Sequence, residues 1–316
     1  MTRYIGKRIA LSIPTLLGVA TIVFFMLHLL PGDAALTMLR AEGGSPTPEM
    51  IAQLREQMGL SRPLLVQYGD FMRGLVTLDL GTSYWTGNPV TQEIGARLGV
   101  TLQVAILAAL IGVLIAIPLG AIAGYFAGTW IDYAIRIFAI GGIALPSFWF
   151  GMIVALLLLW SFNWLPPLGQ ISPFQNPGRW LQQMALPAIA VGYRYAAILI
   201  RMMRASVIET LHEDYVRTAR AKGLRRGLIA RRHVVPNSLL PTITMIGLEF
   251  ALLIGSLVVI EQVFSLNGVG RLFIESISRG DLIVIQGIVI CLTVIFITAN
   301  LLVDFAYAAI DPRIEY

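Results

Sequence analysis

Long apolar runs alternate with short polar segments along this chain. Six runs can be distinguished: residues 9–30, the charge-free stretches from Arg97 to Asp132 and from Arg136 to Arg179, and residues 183–206, 236–260 and 282–306. Each can supply the roughly 20 helical residues that cross the hydrocarbon core of a bilayer. The pattern therefore predicts an all-α integral membrane protein with six transmembrane helices.

The first run is predicted to be a retained span. A signal peptide would have an apolar core of only about 7–15 residues and a small-residue cleavage site, whereas this run ends in a His-Leu-Leu-Pro-Gly-Asp sequence. Arg3, Lys7 and Arg8 precede it, and the excess of basic residues in cytoplasmic segments places the N-terminus in the cytoplasm. Six crossings return the C-terminus to the same side.

The polar stretch after the first run is predicted to be an extracytoplasmic insertion. Pro48 and Glu49 suit the start of a helix, helical periodicity continues through residues 51–58, and Gly59 suits the end of that helix. The chain is thus expected to consist of residues 1–30 (N-terminal tail and transmembrane helix 1), 31–97 (insertion) and 98–316 (core with five transmembrane helices and a cytoplasmic loop, 207–235).

Composition supports a membrane protein over a soluble one. The 316 residues are 57% hydrophobic and only 13% charged, with a mean hydropathy of +0.76, and a soluble domain would carry about twice that share of charge. The net charge of +5 does not indicate nucleic-acid binding, because the basic residues lie beside apolar runs, where they set topology and contact lipid headgroups. The single cysteine, Cys291, excludes disulfides within the chain.

Gly120, Gly124 and Gly128 recur at four-residue spacing in the second run. A stripe of small residues lets another helix approach closely. We expect this stripe to pack within the chain rather than between subunits.

A basic segment, residues 213–241, separates the fourth and fifth runs. It holds seven of the 23 basic residues: Arg217, Arg220, Lys222, Arg225, Arg226, Arg231 and Arg232. Glu213 and Asp214 favour a helix start and Gly223 a helix end, so a short helix is predicted. Its alanines and glycine would leave open surface for another protein, which indicates a docking surface; a solvated basic linker is the alternative.

No Walker A sequence occurs in the chain, and no arrangement of nucleophile, base or paired carboxylates indicates catalysis. His28, His212 and His233 lack the spacing of metal ligands. We therefore expect neither a catalytic nor a metal site.

The motif Arg217-Thr-Ala-Arg-Ala-Lys-Gly223, followed by His233-Val-Val-Pro236 and Asn237-Ser-Leu-Leu-Pro241, resembles the EAA loop of permeases of ABC importers in the dipeptide, oligopeptide and nickel family. Arg217-Thr-Ala stands where the general motif has Glu-Ala-Ala. Further blocks resemble the first permease subunit of that family: Ile13-Pro-Thr-Leu-Leu-Gly18, Leu30-Pro-Gly-Asp33, Pro63-Leu-Leu-Val-Gln-Tyr68, Asp79-Leu-Gly81, Glu261-Gln-Val-Phe-Ser265 and Gly268-Val-Gly-Arg-Leu272.

This resemblance implies a type I ABC importer permease fold and a pore subunit in the bacterial inner membrane. Its implied partners are a homologous second permease that makes a heterodimer, two cytoplasmic ATPase subunits that bind the cofactors ATP and Mg, an extracytoplasmic substrate-binding protein and membrane lipid, but no nucleic acid. The ATPase-coupling helix would comprise Tyr215, Val216, Arg217, Thr218, Ala219, Arg220, Ala221, Lys222 and Gly223. The loop would continue through His233, Pro236, Asn237 and Pro241.

Arg194 and Glu249 are charged residues within predicted spans, where ionisable groups are costly and usually face a cavity or each other. They are candidates for the translocation path; a purely structural ion pair is the alternative. Arg201 and Arg204 are expected to extend towards lipid headgroups.

Two functions remain open from the sequence. The first is a pore-forming subunit of an ATP-driven importer, for di- or oligopeptides by family resemblance. The second is a self-sufficient, proton-coupled transporter that uses Glu249 and Arg194. The sequence does not choose among dipeptide, oligopeptide, glutathione or nickel chelate as cargo.

Overall fold

The structure of the chain, a computed structural model, describes residues 2–29, 34–41, 46–169 and 171–310. Regular structure in these ranges is helical, with an isolated bridge between Thr82 and Pro89. The helices are α1 (Thr2–Leu29), α2 (Ala34–Ala41), α3 (Pro48–Gln57), α4 (Leu64–Thr77), α5 (Val90–Tyr125), α6 (Trp130–Ala144), α7 (Ser147–Phe162), α8 (Pro177–Leu211), α9 (Asp214–Ala221), α10 (Arg226–Ile229), α11 (Val235–Val263), α12 (Val269–Arg279) and α13 (Leu282–Ile310), with a π-helical turn at Ala230–Val234.

Each of the six predicted apolar runs is mostly helical in the residues that the structure describes. Four helical stretches are long and apolar enough to cross a membrane: α5, α8, the continuous stretch Arg226–Val263, and α13 from Leu282 to Leu302. The bent pair α6 and α7 is long and apolar enough to be a fifth crossing if the two helices form one span, and α1 contains the shorter apolar stretch Ala10–Met26. The all-α prediction is therefore confirmed. The Leu30-Pro-Gly-Asp33 block lies outside the described residues.

The third predicted span is two helices rather than one. Helices α6 and α7 are bent by 106° at a break of a few residues. Leu145 is extended and precedes Pro146, and a proline disfavours helical geometry in the residue before it. Hydrophobicity alone does not register this bend, because the charge-free run continues across it.

Two compact units make up the chain, the first being residues 102–266 with the residues from Thr298 onward and the second residues 6–101 with 267–297. In the second unit, α3 starts as predicted. Thr47 caps it by accepting a hydrogen bond from the Met50 backbone N–H, Pro48 opens it, and Gly59 follows its end at φ +69°.

The polar insertion is itself mostly helical, with α2, α3 and α4 in its described part. Helix α5 begins at Val90 and passes through the expected limit at residue 97 without a break. Val90 and Ile94 pack there with Val269 and Ile288 of α12 and α13 in a buried apolar cluster. The boundaries at residues 30 and 97 separate sides of a membrane and stay a prediction.

In the first unit, α5 lies against α8 with almost no space between their backbones. A Cβ atom added at Gly120 would lie 2.6 Å from Met203 Cβ, and one at Gly124 would lie 2.7 Å from Val207 Cβ. The prediction that these glycines pack within the chain is confirmed. Gly128 differs, since it has open space and takes φ +82° in the turn before α6.

We predict that Gly120→Ala lowers the free energy of unfolding by about 1–3 kcal/mol, because the added methyl group overlaps Met203 and the Ile200 carbonyl oxygen. Thermal unfolding in detergent micelles would measure the change. Gly99→Ala in the same helix is the matched control. Its Cβ would meet nothing within 4 Å, so that variant should be as stable as the parent or up to about 1 kcal/mol more stable. Equal stability of both variants would contradict the close packing.

Candidate functional site

The predicted docking helix is present as α9. Glu213, in extended geometry, precedes it, and Asp214 adds a negative charge to its first turn, which the helix dipole favours. Gly223 ends it at φ +76°, where its backbone N–H donates to the Arg220 carbonyl and the Leu224 N–H donates to the Ala219 carbonyl. These two bonds form a Schellman motif, so a glycine is required there.

One face of α9 is buried in the chain itself. Val216 and Ala219 are 0% and 6% exposed, and both belong to an apolar cluster with Met203 and Val207 of α8. Ile229 and Val234 complete this cluster. The expectation that Ala219 offers open surface to a partner is therefore wrong, because its methyl group fills the contact with α8.

The opposite face of α9 is open. Its exposed residues are Asp214, Tyr215, Arg217, Thr218, Arg220 and Ala221, and the two residues that follow, Lys222 and Gly223, are exposed as well. Arg217 contacts Asp214 at 3.3 Å, but both side chains are mostly in solvent, where such a pair contributes little to stability. Burial and the neighbouring Glu213 carboxylate raise the pKa of Tyr215, so its phenol stays neutral and can donate a hydrogen bond to a partner.

The segment after α9 connects this helix to α11. His233 lies in the π-helical turn and Pro236 in the first turn of α11. Pro236 cannot donate to a carbonyl one turn earlier, and a wider turn accommodates its ring. Asn237 Nδ2 donates to the His233 carbonyl at 2.6 Å. Pro241 lies inside α11.

A second connection in this region was missed from the sequence. Arg204 Nε and Nη2 donate to the two oxygens of Asp132 at 2.6 and 2.8 Å, and the Gly128 backbone N–H donates to the same carboxylate at 3.0 Å. The expectation that Arg204 extends to lipid headgroups is wrong, since a bidentate partner is available. Two opposite charges at the ends of neighbouring apolar runs were the only sequence signal.

Arg194 and Glu249 are brought together at the middles of α8 and α11. Both line a small cavity with Tyr195, Ser147 and Ser256. Among the described residues they form no salt bridge with each other within 4 Å, so the purely structural ion pair is not formed. Tyr195, which the sequence did not indicate, is buried and its hydroxyl donates to the Ile246 carbonyl at 2.6 Å.

No metal-binding group stands out in the part of the chain that the structure describes. Among those residues, no three His, Cys, Asp or Glu side chains come together as potential ligands. His212 Nδ1 lies 2.7 Å from the Ile208 carbonyl, a contact within its own chain segment.

Several long apolar helices, with the short helix α9 between two of them, are the architecture of a multi-span membrane protein. The chain belongs to the family of binding-protein-dependent transport system inner membrane components. The model of that family matches residues 116–316, and the model of the family's N-terminal region matches residues 1–105. The protein is therefore the permease of an ABC importer, a transport component and not an enzyme, and ATPase and substrate-binding partners follow from that class.

Relatives cover the whole chain. The glutathione transport system permease protein GsiC of Pectobacterium atrosepticum is 38% identical, with 100% of each chain covered. The dipeptide transport system permease protein DppB of Alkalihalophilus pseudofirmus is 34% identical, again with 100% of each chain covered. A crystal structure of an amino acid ABC transporter with histidines aligns with a TM-score of 0.53 at 18% identity, covering 69% of this chain and 94% of that chain. It shows the type I importer permease fold.

We predict that Asp132→Asn destabilises the protein by about 3 kcal/mol, because Arg204 keeps its charge and loses its bidentate partner. Unfolding in detergent would report the loss. Asp70→Asn removes the same charge from an exposed pair with Arg62 and should cost less than about 1 kcal/mol. The ion pair would have no structural role if the two variants unfolded alike.

Proposed function

We propose that this chain is one of two pore-forming permeases in an importer of short peptides, and that the open face of α9 docks onto a cytoplasmic ATPase subunit. The observation that carries the proposal is the division of α9 into a face anchored by Val216 and Ala219 and a face left free. A docking helix has to be held firmly on one side and accessible on the other. A solvated basic linker would not need the buried face.

Short peptides are the proposed cargo. The relatives named above are permeases for glutathione and for dipeptides, both of which are small peptides with free charged ends. Their full-length similarity to this chain supports a peptide of that kind. Neither of these two relatives is named as a permease for nickel chelates.

Force from an ATPase would pass through the α9 anchor. Val216 and Ala219 contact Met203 and Val207 of α8, and Val234 at the entrance of α11 belongs to the same cluster. A shift of α9 would therefore move the ends of two long helices together. ATP and Mg would be bound by the two ATPase subunits, whose closure and reopening would drive alternating access.

The proposal also covers the other subunits and the side of the membrane on which each segment lies. A homologous second permease would complete the pore as a heterodimer, and a binding protein would deliver cargo from outside. The N-terminus and the loop 207–235 would lie in the cytoplasm, on the evidence of the basic residues clustered there, and six crossings would return the C-terminus to the same side. The insertion, residues 31–97, and the segment around α12 would then face outwards.

We predict that Ala221→Glu abolishes ATP-dependent peptide uptake and the co-purification of the ATPase, because it places a bulky charge on the open face of α9. Uptake of a radiolabelled dipeptide and the subunits recovered by affinity purification would be measured together. The variant should fold normally, since Ala221 is exposed.

Ala52→Glu is the matched control, because Ala52 is also an exposed helical alanine but lies on α3. It should leave uptake and co-purification unchanged. Normal ATPase recovery and normal uptake with Ala221→Glu would refute the docking role of α9.

We also propose that Arg194 and Glu249 line the translocation path, each contributing one charge to the ends of a peptide. Their position at mid-helix and their shared cavity support this. Glu249→Gln should reduce uptake by about tenfold or more, while the ATPase still co-purifies. Glu209→Gln, at an exposed site near the end of α8, should transport normally. Unchanged uptake and cargo range with Glu249→Gln would exclude the path assignment.

A proton-coupled transporter that works alone is the second candidate from the sequence, and membership of a binding-protein-dependent family does not favour it. In vesicles, uptake that followed a proton gradient without ATP and without partner subunits would support that alternative.

A further inference from the structure

A cavity of about 360 Å³ lies within the second unit. It is enclosed by parts of α1, α3 and α4, the segment of residues 79–84 and the first turn of α13. Its volume falls in the range of small-molecule sites, roughly 300–1,000 Å³. Nothing in the transport mechanism described above uses it.

One polar side chain in this cavity, that of Gln286, has no hydrogen-bond partner among the residues that the structure describes. Gln286 of α13 lines the cavity and is 9% exposed, and its side-chain amide makes no hydrogen bond with any described residue. No fully enclosed side-chain nitrogen or oxygen lacks a partner among the described residues, so the Gln286 amide must open onto the cavity. Water can bond with the amide while the cavity is empty, so a ligand that displaces this water has to offer the amide a hydrogen bond in its place.

Two other polar side chains at the cavity, those of Tyr84 and Gln67, already have hydrogen-bond partners. Tyr84 donates from its hydroxyl to the Met58 carbonyl at 2.9 Å. Burial and the nearby Asp281 carboxylate raise the pKa of Tyr84 to about 12, so it stays a neutral donor. Gln67 Nε2 donates to the carbonyls of Leu60 and Arg62. Gln57 also lines the cavity but is exposed, so Gln286 is the buried amide that is available to a ligand.

Charges of both signs lie at the cavity. The Arg62 guanidinium contacts the Asp70 carboxylate at 3.3 Å, with both side chains more than half exposed, so this pair can open at little cost. Phe24, Phe71 and Ile283 provide apolar wall. A guanidinium suits a carboxylate, a carboxylate suits an ammonium group, and a free amide suits a peptide bond.

We infer that this cavity binds a short peptide with free amino and carboxyl ends, as a receiving site distinct from the path lined by Arg194 and Glu249. The amide of Gln286 would bond to the peptide group, with the two peptide ends at Asp70 and Arg62. The choice of a peptide over another zwitterion rests on the proposed function.

Binding of radiolabelled alanyl-phenylalanine would test this site, with the full chain in nanodiscs together with its partner permease and ATPases and without the binding protein. Gln286→Leu should weaken binding about tenfold, the loss of one hydrogen bond to a buried group. Arg62→Gln, at an exposed position, should lose the preference for a free carboxyl end. This variant should bind the free peptide no more tightly than the same peptide with an amidated C-terminus. Thermal unfolding would check that both variants are folded.

Two controls separate this site from others. Gln53→Leu changes an exposed glutamine of α3 that does not line the cavity, and it should bind like the parent. Glu249→Gln should also retain binding, because it alters only the membrane path. The inference is overturned if Gln286→Leu and Arg62→Gln both bind with parental affinity, or if Glu249→Gln alone abolishes binding.

The two proposals fail in different ways. If binding does not depend on Gln286 while ATP-driven uptake is normal, the receiving site is refuted and the proposed peptide importer stands. If binding depends on Gln286 but the complex takes up no peptide, the receiving site stands and the proposed cargo is refuted.

Discussion

The packing of α8 against its neighbours is the contact on which the first unit depends. Most of its apolar stretch is buried, whereas most residues in the corresponding stretches of α5 and α11 are half-buried or exposed. Three different interactions converge on its second half. Gly120 and Gly124 bring the α5 backbone close, Arg204 holds Asp132 at the start of α6, and Val207 supports α9. Since all three share one helix, none can move without disturbing the others.

Local signals in the sequence were sufficient for much of the helical framework. Pro48 and Gly59 act through the backbone of their own turn, and Gly223 does the same at the end of α9. These features can be recognised without a partner. The break before Pro146 was not recognised, because prolines are also tolerated inside long helices such as α5, where Pro118 leaves no break.

The candidate sites were less accessible to sequence reasoning, because they join distant segments. Periodicity indicated a helix with small residues, but only the burial of Ala219 in the cluster that contains Met203 shows that it faces inward. Arg194 and Glu249 stood out individually as charges in apolar runs. Gln286 did not, since a single amide near the start of a span is unremarkable until the residues across the cavity, such as Arg62, are known.

The bond between Asp132 and Arg204 also has a consequence for synthesis. The chain is made from its N-terminus, so the carboxylate at the start of α6 emerges well before the guanidinium in α8. An ionised group near hydrocarbon is costly until it is paired, and this carboxylate ends 1% exposed. The packing of α6 can therefore be completed only after α8 has been made and Arg204 can reach the carboxylate.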